Sequence, residues 1–183
     1  MNPYLSPFVG QKFVNVLGFA GYSGMGKTTL LKQIIPLLKE KGLRVGLVKR
    51  SHHDFEIDKP GKDSYELRMA GASPVMLSSS HRRAIITEHE AVRERSLAEE
   101  LCYFDHASVD LILVEGFKLE HFPKIELFRP SQGRPLLFPE DPTIIAIATD
   151  GILPVKTELP QFDINCPGPI ANFINDFLHH GTA

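Results

Sequence analysis

Cysteine is scarce in this chain. Cys102 and Cys166 are the two present, far apart and without C-x-x-C spacing. That argues against a disulfide framework or a zinc site and fits a reducing cytosol. No charge of one sign dominates: the formal net charge is -2, which gives no sign of a nucleic-acid or membrane surface. Long apolar runs are missing as well. No N-terminal stretch is long enough for a signal peptide or a membrane span, so the expectation is a cytoplasmic protein. Low-complexity tracts and internal repeats are not evident. The 183 residues are 43% hydrophobic and 23% charged, which suits a globular protein with a proper core. The expected organisation is a single α/β domain over 1–183.

One stretch organises the rest. Gly21-Tyr22-Ser23-Gly24-Met25-Gly26-Lys27-Thr28 satisfies G-x-x-x-x-G-K-[ST], the phosphate-cradling loop. The apolar, β-branched segment Phe13 to Ala20 before it suits a buried strand, and Thr28 to Lys41 after it reads as a helix. Such a loop turns its N–H groups inward to form an anion-binding concavity, and the helix N-terminus adds unpaired N–H groups and its positive dipole end. Lys27 is expected to reach the β- and γ-phosphates, and Thr28 to offer its hydroxyl to Mg²⁺. Ser23, Gly24, Met25, Gly26, Lys27 and Thr28 are the candidate phosphate contacts.

Further along, Pro36 is expected to kink the first helix and Gly42 to stop it. Leu43 to Lys49 reads as a second strand, opening into a loop from Lys49 to Asp63 that is rich in ionisable groups. Asp63 with Glu66 reads as a helix cap pair, and Ser96 with Glu99 as another, opening a helix to about Phe104. Pro74–Ser78 and Ala84–Thr87 look like two strands around a polar turn. Asp110 to Gly116 is a buried strand with Glu115 at its carboxyl end. Lys124–Phe128 and Thr143–Thr149 are further strands, and Ile170, Phe173, Ile174, Phe177 and Leu178 fall on one face of a closing helix. Alternating strands and helices give a three-layer α/β phosphate-loop NTPase fold, with a mostly parallel sheet and an inserted β-hairpin.

A bound triphosphate needs a metal, held by an acidic residue at the end of a second buried strand. Glu115 occupies that place, although a carboxylate there also serves to cap the following turn. His52, His53 and Asp54 allow a transition-metal reading, but a fourth ligand is not evident. Asp54 or Asp58 is instead a candidate to hold metal-bound water or to position an attacking water. Lys49, Arg50, Lys59 and Lys62 meet a second phosphorylated ligand or form a solvated face, and Arg82 and Arg83 share that ambiguity. The N-K-x-D guanine reader is missing. Asp150, after a late strand, offers a carboxylate to guanine's two N–H donors, or else merely starts the turn into Gly151.

Taken together, Gly21–Thr28, Val48–Asp54, Asp58–Ser64, Ala70–Ala72 and Leu111–Lys118 resemble the molybdopterin-guanine dinucleotide biosynthesis B (MobB) family, over about Val14 to Phe177. The resemblance implies a cytoplasmic, dimeric GTP-binding protein. It would assist the guanylyltransferase that joins GMP to molybdopterin, hydrolysing GTP weakly with Mg²⁺. On it, Thr29 joins residues 24–28 in holding phosphates, Glu115 faces Mg²⁺, and the Lys49–Asp63 loop lies by the nucleotide or the pterin. The unpaired edges of the inserted strands are where a second copy is expected to dock. Two rivals stand beside this reading. One is a small-molecule kinase, with Arg93 and Arg95 as lid candidates; the other is a binding module without turnover.

Overall fold

The computed structural model describes residues 15–51 and 54–180. Phe13 and Val14, assigned above to the first strand, and His52 and His53 lie outside the described residues. The chain divides into two compact units, residues 1–50 with 96–183, and residues 51–95.

The first unit is built on a parallel sheet. Its strands are β1 (Asn15–Ala20), β2 (Val45–Lys49), β5 (Leu111–Glu115), β6 (Lys124–Phe128), β7 (Ile144–Thr149) and β8 (Gln161–Asp163), in the spatial order β2-β5-β1-β6-β7-β8. Every pair along that order runs parallel. Strand side chains alternate between faces, and β5 shows the consequence. Leu111 and Leu113 join Leu17, Phe19, Ile125 and Leu127 in a core under two helices, α1 (Lys27–Glu40) and α4 (Pro167–His180). Ile112 and Val114 face the opposite side, with Leu97, Leu101 and Phe122. Leu97 and Leu101 belong to α3 (Leu97–Leu101). The three-layer α/β plan expected from the sequence is the one observed.

The helix ends test the local rules. Helix α1 carries Pro36 and continues to Glu40. It closes at Gly42 as expected: Gly42 N–H donates to Lys39 and Leu43 N–H to Leu38, the paired bonds of a Schellman end. At Ser96 the reciprocal cap forms, with Glu99 N–H donating to Ser96 Oγ and Ser96 N–H donating to Glu99 Oε2. That helix is shorter than expected. After Leu101 the chain tightens into three-residue turns, with Tyr103 N–H bonded to Glu100 and Phe104 N–H to Leu101. Strand β8, three residues long, carries too little pattern to be expected from sequence.

Among the described residues, two charged side chains lie inside the first unit. Lys124 is 2% exposed and Glu126 1%, both on the same face of β6. Lys124 Nζ donates to the Glu120 carbonyl at 2.6 Å and to Thr143 Oγ1 at 2.6 Å, and pairs with Asp141 at 3.1 Å. Glu126 accepts the N–H groups of Leu137 and Phe138 at 2.7 and 2.9 Å. Burial pushes the Glu126 carboxyl up, against the pull of those two donors. Burial also pushes the Asp141 carboxyl up, but hydrogen bonds from Thr143 and Lys124 outweigh it and hold it below its ordinary value. The Pro-rich loop after β6 is thereby fastened at two points.

The second unit contains α2 (Asp63–Met69) and a two-stranded antiparallel sheet of β3 (Val75–Ser78) and β4 (Arg83–Ile86). Its polar centre is Arg68, 7% exposed. Arg68 pairs with Glu56 at 2.6 Å and with Glu88, tying the segment before α2 to the one after β4. The expected cap at Asp63 does not form. Lys62 holds the cap position in an extended conformation, Asp63 is the first helical residue, and Glu66 accepts from Gly61 N–H instead. The helix starts one residue earlier than the S/T/D-x-x-E pattern implies, so the acidic residues sit in its first turn, where the dipole favours them.

Asp141→Asn removes the carboxylate opposite a buried ammonium, a change worth about 3 kcal/mol. The urea unfolding midpoint at neutral pH is expected to fall accordingly. The Asp141 carboxyl is held low in the fold, so this contribution is present above its ordinary value of 3.8 and lost on acidification. The gap between wild type and variant narrows as the pH falls below that value and through the lowered pKa of the folded state.

Candidate functional site

The loop between β1 and α1 is shaped by its neighbours as much as by its own residues. At Gly21, φ is +147° and a Cβ would lie 2.7 Å from the Leu127 carbonyl oxygen of β6, so the chain passes too close to that backbone for any side chain. Gly26 caps α1 in a left-handed conformation, φ 93° and ψ 18°. Met25, between these glycines, is 1% exposed and packs into the core under α1. It anchors the loop from beneath, whereas Ser23, Gly24, Thr28 and Thr29 are exposed.

Lys27 folds back over the loop. Its Nζ donates to the carbonyls of Gly21 at 2.8 Å and Tyr22 at 3.0 Å. Burial pulls its pKa down, Glu115 pushes it up, and the nearby charges of Lys49 and Lys118 pull it down further. Lys118 and Arg134 also approach the Tyr22 ring, at 5.9 and 5.6 Å from its centroid. Several cations therefore gather around the loop.

Glu115 ends β5, in register with Phe19 of β1 and Lys49 of β2. Its Oε2 accepts from Thr28 Oγ1 at 3.4 Å and pairs with Lys49 Nζ at 3.3 Å. The Thr28 hydroxyl and the Glu115 carboxylate are hard oxygen donors suited to Mg²⁺, which is commonly held by one or two protein oxygens together with phosphates. The residues present fit such an ion. Lys49, from sequence a contact to a second ligand or part of a solvated face, meets Glu115 in the fold.

Asp150 follows β7, its side chain 25% exposed. Its carboxylate is held by the guanidinium of Arg129, whose Nε donates to the Met25 carbonyl at 3.2 Å. Sequence reasoning passes over Arg129. The available signal is its place immediately after β6, at the same end of the sheet as the loop. One hollow adjoins Arg129 and another adjoins Asp150. The first, of about 100 Å³, is lined by Gly26, Thr29, Gln33, Arg129 and Asn165. The other is an open cleft of about 370 Å³ lined by Thr149, Asp150, Gly151, Gln161, Asp163 and Asn165. Asp54 belongs to the second unit and is exposed there. Among the described residues no three His, Cys, Asp or Glu side chains gather for a metal.

These features define an α/β protein of the phosphate-loop class, with a lysine, a threonine and a strand-end carboxylate converging at one loop. The family model described as Molybdopterin guanine dinucleotide synthesis protein B matches residues 16–150, and the chain belongs to this MobB family. It is 44% identical over 170 residues to the molybdopterin-guanine dinucleotide biosynthesis adapter protein of Escherichia coli (strain K12), covering 92% of this chain and 96% of that relative. Identity is also 44%, over 169 residues and 91% of each chain, to the protein of the same description from Haemophilus influenzae. Among solved structures, a crystal structure of molybdopterin-guanine biosynthesis protein B superposes with a TM-score of 0.67 at 25% identity, over 88% of this chain and 99% of that one. A MobB homolog from Bacillus stearothermophilus shares the fold, with a TM-score of 0.68 at 22% identity over 91% and 99%.

Gly21→Ala sets a methyl group against the Leu127 carbonyl, and the backbone of one strand or the loop must shift. The cost is expected at about 2 kcal/mol, read as a lower midpoint in urea unfolding. Gly24→Ala, where a Cβ would meet nothing within 4 Å, is the control for left-handed strain alone.

Proposed function

We propose that this chain is a GTP-binding adapter in molybdopterin guanine dinucleotide biosynthesis, a weak Mg²⁺-dependent GTPase acting with the guanylyltransferase on molybdopterin. The observation that carries the nucleotide part is the convergence of Lys27, Thr28 and Glu115 at a glycine-shaped loop. The adapter part is supported by the description shared by the two relatives at 44% identity. The residues divide the work by charge. Loop amides of residues 23–28 and the Lys27 ammonium neutralise a triphosphate. That exchanges the two carbonyl partners of Lys27 for phosphate oxygens, so that both donor and acceptor are charged and the bond is stronger. Thr28 and Glu115 hold Mg²⁺, which when bound neutralises charge developing on the phosphates. Thr29 continues the contact along the chain of phosphates, and Asp150 reads the base.

Slow turnover fits this arrangement. Arg129 is committed to Met25 and Asp150, and beyond Lys27 the sequence offers no evident glutamine or arginine finger to orient water or neutralise the transition state. Asp54 is the proposed group for orienting water. The protein works in the cytoplasm, without nucleic acid or membrane. No helix among the described residues is long and apolar enough to cross a membrane. We further propose a homodimer through the hairpin. Met76 and Ile85 are direct cross-strand partners, 59% and 55% exposed, and the strand edges beside them suit a second copy. The single-domain organisation over 1–183 is part of this reading.

Calorimetric titration with GTP and ATP, each with and without Mg²⁺, tests the proposal. GTP is expected to bind more tightly than ATP, with a clear gain from Mg²⁺. Lys27→Ala should abolish binding at an unchanged melting temperature, and Glu115→Ala should erase the Mg²⁺ dependence. Unaltered GTP affinity in Lys27→Ala would refute the assignment of the loop. Phosphate release is expected on the order of 10⁻³ s⁻¹, the range of GTPases without a supplied cation, and lower in Asp54→Asn at equal GTP affinity. Sedimentation at micromolar concentration should show a dimer that Ile85→Asp converts to a monomer.

A further inference from the structure

Arg129 joins two parts of the first unit that the proposed function treats separately. Its Nε bonds the Met25 carbonyl within the phosphate loop, and a terminal nitrogen holds Asp150. Its other terminal nitrogen, Nη2, lies 3.5 Å from where a Gly26 Cβ would stand. The hollow lined by Arg129 and the cleft lined by Asp150 share Asn165. Thr29 and Arg129 line the first and Asp150 lines the second, so the Arg129–Asp150 pair has one member on each.

We infer that Arg129 is a specificity-positioning residue for the base of the bound nucleotide. Its guanidinium fixes the Asp150 carboxylate at the cleft as a pair of acceptors, and ties that carboxylate to the loop holding the phosphates. The inference rests on the proposed binding of a triphosphate at Lys27 and names the base side of that same site.

The chemistry follows from donor and acceptor counts. An ionised carboxylate only accepts, with about four lone-pair sites, and Arg129 uses one oxygen, Oδ2. Oδ1 and the remaining lone pair of Oδ2 can take two adjacent N–H donors. Guanine presents such a pair on its Watson–Crick edge. Adenine presents a ring acceptor beside its amine, which sets acceptor against acceptor and leaves buried polar atoms unpaired. Asp150 stands after the end of a strand, where a lone carboxylate would sample several rotamers. The planar, multi-donor guanidinium holds it in one, which a lysine in the same place would do less well.

The plainer role for Arg129 is a staple that stiffens the phosphate loop, and calorimetry separates the two. Mg²⁺ complexes of GTP, ATP, xanthosine triphosphate and inorganic tripolyphosphate are titrated into wild type, Arg129→Gln and Asp150→Asn. Arg129→Gln is expected to weaken GTP binding about tenfold, the size of one weakened hydrogen bond, while ATP and tripolyphosphate stay within about twofold. Asp150→Asn should lose the preference for GTP over ATP and bind xanthosine triphosphate more tightly than GTP, because an amide can donate to the carbonyl that replaces the guanine amine. An equal fall for all four ligands in Arg129→Gln would reduce Arg129 to a staple and overturn the inference. So would a wild type that does not discriminate GTP from ATP, or an Asp150→Asn variant whose preferences do not move. If Arg129→Gln does not fold, Arg129→Lys takes its place, read by the same ratio of GTP to ATP affinity. A wild type that binds neither GTP nor tripolyphosphate defeats the proposed function itself, and this inference with it.

Discussion

Strand β1 is hydrogen-bonded to a parallel neighbour on each side, β5 on one and β6 on the other. In a parallel ladder all carboxyl ends lie at the same edge of the sheet, and ligands of open α/β sheets bind there. This pairing brings together the phosphate loop after β1, Glu115 at the end of β5 and Arg129 after β6. Met25 and Arg129, bonded to each other, are 104 positions apart in the chain. The same pairing imposes the closest steric demand in the site. The backbone of β6 runs so near Gly21 that the loop can pass only without a Cβ.

Charge is the second theme of that edge. Lys27 feels Glu115 as an attraction and Lys49 and Lys118 as repulsions, and it is already partly desolvated. One carboxylate and three ammonium groups meet there, so positive charge exceeds negative among these four groups. A polyanion relieves that repulsion and gives Lys27 better partners than the two carbonyls it contacts. The positive charge here is thus a property of the assembled edge rather than of the loop alone.

The buried polar pairs of β6 serve the same edge from beneath. Lys124 and Glu126 would be poor choices for a central strand on burial alone. Each is satisfied by the loop that follows β6, through Asp141 and Thr143 in one case and two backbone N–H groups in the other. That loop begins at Arg129 and returns into β7, which ends beside Asp150. Fastening it restrains the approach of the two residues that form the ion pair next to the phosphate loop. Buried polar contacts of this kind are directional, and a shifted register would leave them unsatisfied.

Much of the local structure was visible in the sequence. The spacing of Gly21, Gly26, Lys27 and Thr28, the apolar β5 segment ending in Glu115, the Schellman stop at Gly42 and the reciprocal cap at Ser96 all depend on residues within a few positions of one another, and all took the expected form. The Asp63 cap failed because competing starts one residue apart differ little in energy, and the pattern cannot choose between them. What no local pattern contains is which strand lies beside which. The bond from Arg129 to Met25, the pair it makes with Asp150, the grip of Lys49 on Glu115 and the burial of Lys124 all span large sequence separations. They arise from strand order and register, which the whole core selects through packing, and so only the tertiary structure decided them.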